Sequence, residues 1–342
     1  MNTDFKAGID AMLRTKNESN DRDHSYFHPS GFGDCRREIW YKMLGVEPDP
    51  GTDHVAKTLR TFDNGHALHL RNQLYARQSG LLSKDKVVSA EDRVYHLGAM
   101  EETRRLIIGE SGRHYPFELK DQVWVCSEDE FDSNRFKICG FPMPNYAWPR
   151  DLKEGDEFWL VEVPIADEEY HIAGHCDAIV ITNGEEAVID YKGTKEASFI
   201  NCFYDYEDPG RFRSRFDKTW MSCHICGAKM SAPKEFSSHL LEYHSEYGMV
   251  SEHYAIQLQL YMWQLNLKSA ILWNENKNDQ NVLDSAVQRD DKMIDGIRRR
   301  AKWLWAKAQG GELPDKPEKH EKAGRNRFPC GWCDYASRCW NE

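Results

Sequence analysis

Residues 171–194, HIAGHCDAIVITNGEEAVIDYKGT, decide the fold because they read as two β-strands joined by a tight turn. Asn183 and Gly184 supply the turn signal, since a two-residue hairpin loop requires positive φ angles that asparagine and glycine accept readily. A turn at these two residues fixes which residues of the two strands face each other. The predicted pairs are Asp177 with Asp190, His175 with Lys192, and Ile179 with Val188.

The two aspartates of this hairpin are predicted to share one face of the sheet. Directly opposed side chains have Cβ atoms about 4.5–5.5 Å apart, and at that separation two carboxylates can hold one divalent cation. Lys192, two residues after Asp190, points the same way. The neighbouring apolar residues indicate a sheet covered on both faces, where two unpaired acids would be costly, so a bound metal is expected. The alternative is a pair of acids that points to solvent.

Strand and helix patterns surround the hairpin on both sides. A strand-like run (FWLVEV, 158–163) precedes it, and residues 35–80 show mainly the spacing of helices. An amphipathic helical segment, a strand-like run and a second helical segment follow it, at residues 252–266, 269–275 and about 290–309. These patterns predict an α/β fold in which helices flank a mixed sheet.

The charge of the chain limits how it can bind nucleic acid. Its 342 residues include 45 Lys and Arg against 56 Asp and Glu, which gives a formal charge of −11. Such a chain is not a polycation that coats nucleic acid, so binding would use a local basic groove. The candidate DNA contacts are Arg36, Arg37, Arg298, Arg299 and Arg300, with an ordinary solvated face as the alternative. Neither an apolar run of membrane-spanning length nor a signal peptide is visible, so a cytoplasmic protein without a membrane partner is expected.

A zinc-finger spacing lies between the hairpin and the helical segment at 252–266. Cys223-x2-Cys226-x12-His239-x4-His244 matches the ligands of a finger with two cysteines and two histidines. The spacing predicts a bound Zn²⁺ and a helix that begins near residue 232. Acidic side chains outnumber basic ones on that helix, so base-specific reading of DNA is not favoured. A structural insertion, a substrate clamp and a contact with another protein remain open.

The hairpin and its flanking segments resemble the RecB-like nucleases of the PD-(D/E)XK superfamily. The residues GHCD (Gly174 to Asp177) followed by DYK (Asp190 to Lys192) are similar to the D…(D/E)xK core of that family. The segment from Phe62 to His69 is similar to its G-x-x-x-H helix, and Gln257 with Tyr261 matches its Q-x-x-x-Y motif. The resemblance implies a restriction-endonuclease-like α/β core.

The same resemblance implies a metal-dependent DNA nuclease with identifiable site residues. Mg²⁺ or Mn²⁺ would be held by His69, Asp177, Asp190 and the backbone carbonyl of Tyr191. The catalytic residues would be Asp177, Asp190, Lys192, Gln257 and Tyr261. The implied substrate is single-stranded DNA cut exonucleolytically, in phage or bacterial replication, recombination, repair or CRISPR-type adaptation. A helicase, recombinase or integrase partner is left open.

Four cysteines near the two ends of the sequence resemble the metal frame of the iron-sulfur nucleases, which include CRISPR-associated adaptation nucleases and AddB subunits. They are Cys35, Cys330, Cys333 and Cys339. Four thiolates suit either a 4Fe-4S cluster or a tetrahedral zinc ion, and spacing alone does not separate the two. The resemblance implies the 4Fe-4S cluster. The alternative to a nuclease is a non-catalytic DNA-binding or scaffold protein that keeps the fold and uses the zinc finger for recognition.

These patterns divide the chain into four expected parts. They are a polar N-terminal segment (1–30), a nuclease core (31–200 and 250–310), an inserted zinc-finger-like module (215–248) and an iron-sulfur module (311–342, with Cys35). Residues 81–150 mix a helical pattern with strand-like runs at 122–126 and 135–139, and no role is predicted for them.

Overall fold

The structure is a computed structural model, and every structural statement below concerns the residues it describes. These are residues 5–18, 25–49, 56–86, 117–120, 123–126, 157–195, 199, 221–222, 226, 228–231, 233–244, 250–325 and 330–341. The strand-like run predicted at 135–139 and the helical pattern within residues 87–116 lie outside this part of the chain.

The helices and strands follow the predicted order. The described helices are α1 (Phe5–Glu18), α2 (Pro29–Phe32), α3 (Arg36–Met43), α4 (Ala56–Gln78), α5 (Pro233–His244), α6 (Glu252–Gln264), α7 (Asp291–Gln309), α8 (Glu318–Ala323) and α9 (Ala336–Asn341), with a 3-10 turn at Cys330–Trp332. The described strands are β1 (Lys84–Lys86), β2 (Phe117–Lys120), β3 (Val123–Cys126), β4 (Glu157–Trp159), β5 (Val161–Asp167), β6 (Ile172–Thr182), β7 (Glu185–Thr194), β8 (Met221–Ser222), β9 (Lys229–Met230), β10 (Ser269–Asn276) and β11 (Val282–Gln288). None of the described helices combines the length and apolar character needed to cross a bilayer.

Five strands form the central sheet in the order β11-β10-β7-β6-β5. Neighbouring strands run antiparallel except β7 and β10, which pair in parallel. Parallel neighbours require a crossover connection, and α6 lies within it. The predicted α/β architecture, a mixed sheet flanked by helices, is confirmed, and the sheet is mostly antiparallel.

The register of the β6–β7 hairpin is the predicted one. Ile179 pairs with Val188, and the ladder continues to the Thr182–Glu185 pair beside the turn. Asn183 and Gly184 have φ angles of 52° and 78°, as a tight two-residue loop requires. The local turn chemistry therefore sets the pairing of the two strands that carry the aspartates.

Both faces of the sheet are covered, as the sequence predicts. On one face Ile179 and Val188 pack in a buried cluster with Leu258 of α6 and Leu304 of α7. On the other face a second cluster joins the hairpin to α4 through Leu68, Ala178, Val180, Ala187, Ile189 and Tyr191. Burial of one large aliphatic side chain stabilises a fold by about 1.5–3 kcal/mol. A one-residue slip would move each of these side chains to the opposite face and disrupt the packing of both clusters, so the register is strongly specified.

Several elements have no predicted counterpart, and two of them are α1 and β11. The helix α1 lies in the segment expected to be polar, and it is held by an ion pair between Asp10 and Arg60 of α4. The strand β11 is the sheet edge, and its inward positions include Leu283 and Ser285. In β11, the serine at an inward position breaks the apolar alternation that indicates a strand. In α1, the ion pair joins residues 50 positions apart and leaves no local pattern in the sequence.

Gly174 in β6 has no room for a side chain, and this yields a testable prediction. A Cβ atom there would lie 2.6 Å from Cδ of Pro29 in α2, and a proline ring cannot rotate away. Gly174→Ala is therefore expected to lower the free energy of unfolding by about 1–3 kcal/mol, measured by chemical denaturation. Gly296→Ala in α7 is the control, because a Cβ there meets open space and alanine favours a helix by up to about 1 kcal/mol. Equal effects of the two substitutions would contradict the prediction.

Candidate active site

Two buried aspartates lie where the β6–β7 ladder ends. Regular pairing extends to Ala178 and Ile189, one step before Asp177 and Asp190. There the Oδ2 atom of Asp177 accepts a hydrogen bond of 2.7 Å from the backbone N–H of Tyr191. The carboxylate of Asp177 is thus anchored to the neighbouring strand, and both aspartates are at most 5% exposed.

Asp190 is held by a lysine of its own strand and a glutamine of α6. The Nζ atom of Lys192 lies 2.7 Å from Oδ2 of Asp190, and Nε2 of Gln257 donates to Oδ1 at 3.0 Å. Gln257 Nε2 also donates to the hydroxyl of Tyr261 at 2.9 Å, one helical turn further along α6. The i, i+4 spacing that matched the Q-x-x-x-Y motif therefore places both side chains at the carboxylate.

Asp177 is in contact with the predicted histidine of α4. His69 Nδ1 lies 3.3 Å from Oδ1 of Asp177, and the His69 ring is tilted against the ring of Tyr191 at a centroid distance of 6.2 Å. Burial lowers the pKa of His69, but the hydrogen bond and the negative charge of Asp177 raise it by more, so the net shift is upward. The histidine therefore gains positive charge more readily than a free imidazole does.

The predicted pairing of His175 with Lys192 is wrong. His175 pairs with Pro164 of β5, and its Nε2 atom lies 2.9 Å from Oε2 of Glu162. Lys192 has Asn274 of the parallel strand β10 as its backbone neighbour on the other side of β7. The β6–β7 ladder extends from the turn only to Ala178 and Ile189, so the hairpin register does not apply to His175 and Lys192.

Glu162 and Gln73 belong to the site although the sequence reading left them out. Gln73 Nε2 donates to Oε1 of Glu162 at 2.6 Å and to the backbone carbonyl of Asp177 at 2.9 Å. Glu162 has a φ of 46°, a left-handed conformation that costs a glutamate of order 1–3 kcal/mol. The sequence signal is one of position, since Gln73 lies four residues after His69 and Glu162 is an acid of β5, the strand beside β6.

The two aspartates have opposite electrostatic environments. Burial raises the pKa of Asp190 to about 6, and the charge of Lys192 offsets only part of that rise. Burial also acts to raise the pKa of Asp177, but the hydrogen bond and charge of His69 exceed it, so its pKa is lowered. Lys192 and His69 therefore supply positive charge beside the two aspartates from within the chain.

The raised pKa of Asp190 makes stability depend on pH. Between about pH 4 and 6 the folded metal-free protein keeps a proton on Asp190 that the unfolded chain, with an ordinary value of 3.8, has released. The native state binds more protons there, so its stability decreases as the pH rises through this window. In EDTA, the unfolding free energy of Asp190→Asn relative to the parent is expected to increase by on the order of 2 kcal/mol as the pH rises from 4 to 7. Parallel stability curves of the two proteins would contradict this assignment.

The donors around the aspartates fit a hard divalent cation. Carboxylate and carbonyl oxygens suit Mg²⁺ and Mn²⁺, and an imidazole is acceptable to Mn²⁺. His69, Asp177 and Asp190 carry donors of these types, and hydrogen bonds from the Tyr191 N–H and from Gln257 hold the two aspartates in place. Among the residues that the structure describes, no three His, Cys, Asp or Glu side chains lie close enough together to hold one metal ion as they stand.

The four terminal cysteines line one small cavity. Cys35 precedes α3, Cys330 and Cys333 lie at the 3-10 turn, and Cys339 lies in α9. All four are free thiols. Burial raises the pKa of Cys35 and raises that of Cys333 to about 12, so a metal would have to displace protons on binding. The fold thus brings together thiols that are about 300 residues apart in the sequence.

Half of the predicted zinc-finger ligand set is described by the structure. The Sγ atom of Cys226 lies 3.3 Å from Nε2 of His239. Cys226 lies between the short strands β8 and β9, and His239 lies on α5, which begins at Pro233 as the spacing predicts. Cys223 and the side chain of His244 lie outside the described residues.

The predicted basic clusters are mostly engaged within the chain. Arg36 and Arg37 donate to backbone carbonyls of residues 314–316, and Arg300 donates to the carbonyl of Asp34 at 2.6 Å. The Arg298 guanidinium lies over the ring of Trp263, 4.6 Å from its centroid. Arg36, Arg299 and Arg300 line one groove of about 1200 Å³ whose wall also carries acidic residues. The structure therefore brings three of the five arginines to one groove, and Arg37 and Arg298 do not line it.

Comparison with known proteins gives a family match for part of the chain. Residues 235–340 match the family model of the PD-(D/E)XK nuclease superfamily, which supports a domain of that superfamily here. The matched segment includes Gln257, Tyr261 and the three C-terminal cysteines and does not include the hairpin. The chain has no significant match among curated protein sequences.

Three solved structures show distant likeness. The crystal structure of SSO0001 covers 98% of this chain and 95% of its own at 12% identity, with a TM-score of 0.40. An alkaline exonuclease (LHK-Exo) from Laribacter hongkongensis covers 44% of this chain and 58% of its own at 13% identity, with a TM-score of 0.27. A phage related exonuclease from Haemophilus somnus 129PT covers 44% and 60% at 16% identity, with a TM-score of 0.26. TM-scores of this size do not by themselves establish a common fold.

Proposed function

We propose that this protein is a divalent-metal-dependent deoxyribonuclease that hydrolyses phosphodiester bonds of DNA. The observation that carries the proposal is the convergence of His69 from α4, Asp177 and Asp190 from the hairpin, and Gln257 from α6 around Lys192. A partly buried cluster of charged side chains is costly to stability, and such clusters occur preferentially at functional sites. The superfamily match over residues 235–340 supports the same conclusion independently of the hairpin.

The chain supplies the ligands and the positioning groups for this reaction. Mg²⁺ or Mn²⁺ would be held by Asp177, Asp190, His69 and the carbonyl of Tyr191, and such an ion polarises a phosphate and lowers the pKa of a bound water. Lys192, which neutralises Asp190 in the metal-free protein, becomes available to the phosphate or the attacking water. Gln257 orients Asp190 and is itself oriented by Tyr261.

The proposal also includes the type of DNA substrate and the cellular location. We propose single-stranded DNA as the substrate and exonucleolytic cutting as the mode, in the cytoplasm of a bacterial or phage-infected cell. Replication, recombination, repair and CRISPR-type adaptation would all use the same site. A helicase, recombinase or integrase would be a fitting partner.

Two further metal groups belong to the proposal. We propose that Cys35, Cys330, Cys333 and Cys339 hold a 4Fe-4S cluster, supported by their common cavity. We propose that Cys223, Cys226, His239 and His244 hold Zn²⁺, supported by the contact between Cys226 and His239.

The test is a digestion assay with anaerobically purified protein. End-labelled linear single strands, the matching duplex and a closed circular single strand are incubated with Mg²⁺, Mn²⁺ or EDTA. The linear single strand is expected to shorten from its end only with metal, and the circle is expected to resist. Cutting of the circle would replace the exonuclease proposal by an endonuclease. Binding without cutting under every condition would favour the non-catalytic DNA-binding alternative.

A further inference from the structure

Two adjacent arginines of α3 tie this helix to the C-terminal part of the chain in different ways. Arg36 donates from Nε to the carbonyl of Asp315 at 2.5 Å and from Nη2 to the carbonyl of Lys316 at 3.3 Å. Arg37 donates from Nε to the carbonyl of Pro314 at 2.7 Å and from Nη1 to the carbonyl of Cys339 at 3.0 Å. Arg37 Nη1 also lies 3.6 Å from the Sγ atom of Cys339. No such sulfur contact accompanies Arg36 in the described part of the chain.

We infer that Arg37 tunes the reduction potential of the metal group held by the four cysteines, by donating an N–H···S hydrogen bond to Cys339. The inference rests on the iron-sulfur proposal and goes beyond it, because it assigns to one side chain the control of an electronic property. The reduction potential of an iron-sulfur cluster depends on its net charge and on hydrogen bonds to its sulfurs. Arg37 supplies both a positive charge and a donor at one ligand.

The direction of the effect follows from electrostatics. Reduction adds one negative charge to a group that four thiolates already make negative, and a nearby guanidinium stabilises the more negative state by a larger amount. Cys339 is only 7% exposed, so water screens this interaction little. Arg37 therefore raises the reduction potential, and its removal lowers it.

The other charged groups at this cavity are less well placed to do the same. Glu38 forms an ion pair with Lys42 at 2.7 Å, one turn along α3. The Lys316 ammonium lies over the ring of Trp340, 4.2 Å from its centroid. His320 also lines the cavity. Among the described residues, the Arg37 guanidinium is the side-chain cation for which a hydrogen bond to a cavity thiol is observed.

The contact also changes the interpretation of Arg37 as a DNA contact. A guanidinium that donates to the carbonyls of Pro314 and Cys339 and reaches Sγ has few remaining donors for a phosphate. The sequence analysis placed both arginines in a basic groove. In the structure Arg36 links α3 to the C-terminal segment, whereas Arg37 is assigned to the cysteine site as a positioning residue.

The test is a potentiometric titration of purified full-length protein with dithionite and mediators, followed by visible absorbance and electron paramagnetic resonance. In Arg37→Gln the ratio of reduced to oxidised cluster at the parent midpoint is expected to fall about tenfold, which is about 59 mV for a one-electron couple. Arg36→Gln is the matched control, since it removes an equal charge and equivalent carbonyl bonds, and its ratio is expected to stay within about twofold of the parent. Equal midpoints of the two variants would overturn the inference.

Measurement of iron and sulfide content shows whether a negative result contradicts the role of Arg37 or the iron-sulfur site itself. A parent protein without iron and sulfide refutes the iron-sulfur site and the inference with it. A parent with a cluster whose midpoint is unchanged in Arg37→Gln refutes the role of Arg37 alone. If Arg37→Gln does not retain iron, Arg37→Lys is compared with Arg36→Lys. A lower midpoint in Arg37→Lys supports the inference, and identical midpoints overturn it.

Discussion

Replacement of Asp190 by asparagine is expected to lower the rate of DNA hydrolysis at least about a thousandfold, whereas the protein remains folded. Asparagine has the shape of aspartate, so the neighbouring Gln257 can still be accommodated. The negative charge needed to hold a divalent cation is lost, and losing a metal or an oxyanion stabiliser costs factors of this size. Initial rates on labelled single-stranded DNA with Mn²⁺ measure the effect.

The matched control for Asp190→Asn lies on the same strand. Glu185 is exposed at the turn end of β7, and Glu185→Gln removes one carboxylate charge without touching the site. Its hydrolysis rate is expected to stay within about twofold of the parent, in line with the small effects of surface changes. Parent-like activity of Asp190→Asn, in a protein shown to be folded by its thermal transition, would remove Asp190 from the proposed site.

Replacement of Cys339 by serine is expected to abolish iron binding and to lower the melting temperature by about 10 °C. Metal binding free energy is folding free energy where the site joins distant parts of a chain, so losing it costs several kcal/mol. The site would join α3 to the C-terminal segment, which are also linked by the hydrogen bonds of Arg36 and Arg37 and by the stacked rings of Tyr41 and Tyr335. Metal analysis and thermal unfolding of anaerobic samples give both readouts.

A cysteine of the zinc-finger-like module provides the control for this prediction. Cys226→Ser is expected to lose zinc and to keep the full iron content, because Cys226 contacts His239 and does not line the cavity of the four terminal cysteines. Cys339→Ser is expected to show the reverse pattern. Full iron content in Cys339→Ser, or loss of both metals in Cys226→Ser, would contradict the division into two separate metal groups.

The two aspartates of the proposed site differ in how readily they ionise. Asp177 is kept ionised by His69 and by the Tyr191 N–H, whereas Asp190 lies near its midpoint of ionisation at about pH 6. Lys192 would share the Asp190 carboxylate with a bound cation, which would polarise the phosphate, and the lysine would remain beside the reacting groups.

Much of the site was predictable because it depends on local rules. The Asn183-Gly184 turn sets the β6–β7 register, and the period of two residues along a strand then places the aspartates at the ladder end. The i, i+4 spacing of Gln257 and Tyr261 places both on one side of α6. Each of these relations involves residues close in sequence or paired across one turn, so it can be read without knowing how the helices pack.

Other features were decided only by the tertiary structure. Glu162 reaches the site because its backbone adopts a left-handed conformation and Gln73 of α4 holds its carboxylate, which no local pattern records. The charge balance at Asp177 and Asp190 depends on where His69 and Lys192 come to lie once the helices have packed.

The sequence by itself determined the pairing of β6 with β7 beside the turn and the two covered faces of the sheet. Only the tertiary structure decided which charges are neutralised and which arginines are engaged, as with Arg37 and the carbonyls of Pro314 and Cys339. The physical reason is the separation along the sequence of the residues that interact. Turns, periodicity and helical spacing act between near neighbours, whereas electrostatic partners are set by contacts between segments up to about 300 residues apart.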